Sequence, residues 1–91
     1  MNTTTIEQVE ALINAGLNPS TADMSYIKNP ITGKYVLTVA KPIGNSLPCW
    51  SMGVLQEICL QKGIDLGLTA DNVEETISIM VNSIINNLQN S

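Results

Sequence analysis

Apolar positions Ile6, Val9, Leu12 and Ile13 fall three or four residues apart, the spacing of one helix face. This predicts a helix over about 5–15, started by a capping box at Thr5 with Gln8 or at Thr4 with Glu7. Gly16 is the natural stop, Leu17 follows where a Schellman motif places its apolar contact, and Pro19 lies beyond. The period then changes. In "MSYIKNPITGKYVLTVAKP", Met24, Tyr26 and Lys28 alternate with Ser25 and Ile27, and Tyr35 to Val39 are suited to a strand. Pro30 and Gly33 fit the turn between them, so a β-hairpin is predicted over about 24–40. Tyr35, Leu37 and Val39 would share one face, with Tyr35 expected inward, and Pro42 limits further pairing.

Helical spacing returns after Pro48. With Ser51 as N-cap, a helix over about 51–62 puts Met52, Leu55, Ile58 and Cys59 on one face and stops at Gly63. Trp50 and Leu55 then occupy the two positions of a hydrophobic staple, which makes Trp50, Ser51 and Leu55 the expected structural anchor. A short extended piece over 64–68 is a candidate third strand. The last helix, about 71–88, is expected to start at Asp71 or at Thr69, with Asp71 and Glu74 forming a capping box. Its apolar positions Val73, Ile77, Met80, Val81, Ile84, Ile85 and Leu88 form a stripe broad enough to pack on two neighbours, with Ile79 outside it. The order is α-β-β-α-α, a small single α+β domain over 1–91. A two-stranded ribbon is unstable alone in water, so helices are expected to cover one of its faces.

Composition narrows the functional classes. Four Lys, no Arg and eight acids give a net charge of −4, which weighs against general nucleic-acid binding. The opening residues do not read as a signal peptide, and no apolar run approaches the ~18 residues of a membrane span. A cytoplasmic protein with reduced thiols and no membrane partner is expected.

Chemistry is scarce. Cys49 precedes a helix, whose dipole favours a thiolate, but nucleophilic catalysis also wants a base and the chain has no His. A packed thiol is the favoured reading and a thiol enzyme the remote one. Cys49 and Cys59 are ten apart with no His to complete a metal set, and "DNVEE" lacks the ligand pattern of an EF-hand. "ITGK" lacks the first Gly and the final Ser/Thr of a phosphate loop. No catalytic, cofactor-binding or metal-ligating residue is therefore assigned.

Two surfaces stand out instead. Residues 24–41 hold Lys28, Lys34 and Lys41 and no acid, +3, while the remainder holds Lys62 against all eight acids, −7. These lysines either guard exposed strand edges, the favoured reading, or contact an acidic partner or a nucleic-acid strand. The apolar stripe of the last helix is either all core or partly a seam with a second copy or another protein, where Ile79 and Ile85 would lie.

The residues Ser20, Ala22, Asp23, Met24 and Tyr26, then Pro48, Cys49, Trp50, Ser51 and Met52, carry a resemblance. The stretch over roughly 17–60 resembles short uncharacterised proteins of gut anaerobes, their phages and mobile elements. These share an "S-x-A-D-M" followed by an aromatic, and a "P-[A/C]-W-[S/T]" step into a helix. The "L-P" that ends that helix in many relatives is replaced here by "CLQKGIDLG". The resemblance implies a prophage or mobile-element setting and carries no activity with it. The expected function is a non-catalytic protein–protein interaction module, as a heteromer or homodimer. The alternative is a nucleic-acid-associated accessory protein using the Lys28/Lys34/Lys41 hairpin.

Overall fold

The computed structural model describes residues 3–44, 46–65 and 72–90. Helix α1 spans Ile6–Ala15. Of its two candidate starts Thr5 is the one used: Thr5 Oγ1 accepts the Gln8 N–H at 3.2 Å, and Gln8 Oε1 accepts the Thr5 N–H at 2.9 Å. At the other end Gly16 takes φ 102°, a region that glycine enters without a Cβ penalty. The Leu17 N–H then bonds Leu12 O, closing the Schellman motif.

A 3₁₀ turn at Pro19–Thr21 leads into β1 (Met24–Lys28), which pairs antiparallel with β2 (Tyr35–Thr38). The turn between them is held by Asn29, whose side chain accepts the Ile31 N–H at 2.9 Å, and by Gly33 at φ 72°. The sheet has a third strand, β3 (Leu47–Cys49), on the other side of β1, giving the order β2-β1-β3. It is not the piece expected at 64–68: Ile64 and Asp65 belong to no strand, and 66–68 lie outside the described residues.

Pro48 hid β3 in the sequence, and the register explains why it is tolerated. The Asn29 N–H bonds Lys34 O, so alternation along the ladder directs the backbone groups of Ser25 toward β2. Pro48 sits opposite Ser25, where no N–H is needed from β3.

Helix α2 (Met52–Gln61) follows β3 directly, and α3 (Val73–Gln89) packs on both α1 and α2. Its N-cap is Asn72, whose side chain accepts the Glu75 N–H at 2.8 Å, one residue beyond the expected Asp71, which lies outside the described residues. Ile77, Met80, Val81 and Ile84 of its stripe are buried with Val9, Leu12, Trp50, Leu55, Ile58 and Cys59 in one core, while Val73 is exposed.

The class is α+β, with the order α-β-β-β-α-α. The helices cover the hairpin at its base only, where Met24 and Ser25 are buried and Tyr26 packs against the core. α1 meets the sheet at β3, and the substantial contacts of β2 are with β1 alone. β1 is supported by β3 at its buried end, so the ribbon does not stand alone. Beyond that base it runs into solvent, and the molecule measures 43 × 29 × 18 Å.

Candidate functional site

The chain's one Trp anchors the start of α2. Trp50 and Leu55 are both fully buried, one before the cap and one in the first turn, as a staple requires. Trp50 Nε1–H donates to Thr21 Oγ1 at 2.9 Å, so the indole ties the 3₁₀ turn to the helix start. Ser51 Oγ accepts the Val54 N–H at 3.4 Å as the cap. The cap is itself held by Asp23, which accepts the Ser51 N–H at 3.0 Å on Oδ1 and the Ser51 hydroxyl at 2.7 Å on Oδ2.

Thr4 closes the same region from the chain's start. It is fully buried; its Oγ1 accepts the Trp50 N–H at 3.1 Å, and its N–H donates to Trp50 O at 3.0 Å. The Tyr26 hydroxyl donates to Thr4 O at 2.7 Å. Burial pushes the Tyr26 phenol above its ordinary range and does the same to the Cys59 thiol. Cys49 lies behind this latch, fully buried, its Sγ 3.6 Å from both oxygens of Thr4. A thiol enclosed in this way is not presented to a substrate arriving from solvent. The cluster is a structural latch, and Asp23 and Thr4 are its members that periodicity did not reveal.

The other concentration of unusual residues is the ribbon. Among the described residues, six of the eight exposed large hydrophobics, Ile27, Ile31, Tyr35, Val36, Val39 and Ile43, lie on or beside it. Residues directly opposite in the ladder share a face, so Ile27 and Val36 form one apolar pair, continued toward Pro48 at the base. An open cavity of about 310 Å³ beside them is lined by Ile27, Lys28, Ile43 and Ser46. On the opposite face Lys28 Nζ lies 6.0 Å from the centroid of the Tyr35 ring. Tyr35 is exposed rather than inward, because the ribbon extends past the helices that would have covered it.

Lys28, Lys34 and Lys41 are all exposed along this ribbon. The two α3 positions considered as interface lie elsewhere: Ile85 packs against the core and Ile79 is half-buried. No protein-family profile, curated protein or solved structure matches the chain. Among the described residues no group of three or more His, Cys, Asp or Glu is placed to hold a metal ion, and no helix is long and apolar enough to cross a membrane. Among the described residues, the ribbon is where the exposed large hydrophobics and three of the four lysines concentrate.

Proposed function

We propose that this chain is a non-catalytic protein–protein interaction module that docks a protein partner through the β1–β2 ribbon. The observation that carries this reading is the concentration of six exposed large hydrophobics on or beside a ribbon that extends past the helices beyond its base. Apolar side chains scattered singly over a surface need no explanation, whereas six concentrated on one ribbon, with Ile27 and Val36 paired on one face and Tyr35 on the other, support a contact site. The free, buried state of both cysteines fits a cytoplasmic setting, and the motif at Pro48–Met52 suggests one in a prophage or mobile element.

A second reading uses Lys28, Lys34 and Lys41, with exposed Tyr35, as a nucleic-acid-associated strip. Three lysines give few phosphate contacts, and the −7 carried by the rest of the chain repels a polyanion. The two readings separate in one comparison. Affinity capture from the host of origin with the wild-type chain and with the pair Ile31→Ser, Val36→Thr should recover a partner only with the wild type. Both substitutions fall on exposed side chains, so circular dichroism of the two proteins should match. Equal capture by both proteins would refute the ribbon as docking surface. Oligonucleotide binding that falls steeply with salt would favour the second reading.

A further inference from the structure

We infer that the open edge of β2 adds an acidic, extended segment of the partner as a further strand; this rests on the ribbon being the docking surface. β2 is the outermost strand of the sheet. Since the Asn29 N–H bonds Lys34 O, the ladder residues that face β1 are Val36 and Thr38. The N–H and C=O groups of Tyr35 and Leu37 therefore point away from the sheet, in the arrangement that receives a new strand.

Charge selects the occupant. Lys34 precedes β2, Lys41 follows it and Lys28 lies across from Tyr35, with no acid anywhere in 24–41. A second copy would bring its own three lysines to the same edge, and like charges across a strand pair are destabilising. An acidic strand meets the opposite condition. The lysines that keep two copies from pairing edge to edge are thus the ones that draw an acidic segment. Apolar residues alternating with its acids would meet Val36 on one face or Tyr35 and Leu37 on the other.

The test is an NMR titration of the full ¹⁵N-labelled chain with three capped peptides. The first alternates Glu and Val, the second alternates Lys and Val, and the third is the Glu peptide with alternate backbone nitrogens methylated. The Glu peptide should bind, with the largest shifts at the Tyr35 and Leu37 amides and slower hydrogen exchange at both. Its affinity should fall about ten-fold as salt rises from ~0.02 to ~0.5 M, and the Lys peptide should bind at least about ten-fold more weakly. Methylation on the pairing side should abolish binding, since it removes the strand's donors. The pair Lys34→Glu, Lys41→Glu, at two exposed positions, should invert the preference between the first two peptides. Absence of binding, equal affinity for the Glu and Lys peptides, or shifts centred away from β2 would overturn the inference. So would concentration-dependent protection of Tyr35 and Leu37 without peptide, which would give the edge to a second copy. If partner capture still depends on Ile31 and Val36 while the Glu peptide fails, the docking surface stands and the acidic-strand assignment alone falls.

Discussion

Asp23 holds the start of α2 from 28 residues away, through two hydrogen bonds to Ser51. Hydrogen bonds to a charged group are the stronger class, and the Ser51 cap depends on them for its position. Asp23→Ala should cost about 1–3 kcal/mol, read as a lower urea midpoint with unchanged slope. Trp50→Ala should cost about 3–5 kcal/mol, enough to unfold much of the population, because it empties the largest fully buried side chain. The staple partners and the cap could be read from their spacing. Neither Asp23 nor Thr4 could, because each acts across the fold on backbone groups that no local pattern exposes. Burial also gives Cys59 a pH signature. Its thiol is raised above the ordinary value of a free Cys, so the native state holds a proton that the unfolded chain gives up first. That stabilisation is complete below the unfolded value and is lost as pH rises through the native one. Tyr26, whose phenol burial also raises, acts in the same direction at higher pH. The urea midpoint should therefore be lower at pH ~10.5 than at pH ~8, and Cys59→Ala should shrink the difference.

Each helix follows from its own stretch of sequence, because period, cap and stop agree locally. Thr5 with Gln8 starts α1, and the Gly16–Leu17 pair ends it. Gly16→Ala would force a Cβ into the left-handed region with nothing in space to oppose it, so the cost is conformational. It should be about 1–2 kcal/mol by urea denaturation, with the helix otherwise retained. The hairpin was legible from period two and its Asn-Pro…Gly turn. β3 was not, since three residues with a central Pro carry no strand signal and only the pairing partner makes the position acceptable. The start of α3 differed by one residue for a milder reason: Asp71 and Asn72 are both good caps, and each has a Glu three residues on.

At the scale of the molecule, the least legible feature was which apolar residues stay outside. Period two marks one face of each strand as apolar, and the usual inference is that this face is covered. Here the helices bind the base of the sheet at β3 and pack on one another, and the ribbon passes beyond them. The stripe of α3 from Ile77 onward packs against α1 and α2, and among the described residues most of the exposed large hydrophobics lie on or beside the ribbon. Site-specific photo-cross-linking tests this most directly, with a cross-linking side chain at Val36 on the ribbon or at Leu60 on α2. Both positions are exposed large hydrophobics, so they differ in place rather than in character. In cells of the host of origin, position 36 should yield one discrete heteromeric adduct and position 60 none. An adduct from position 60 alone, or from position 36 only with a second copy of the chain, would contradict the ribbon as the docking surface for another protein.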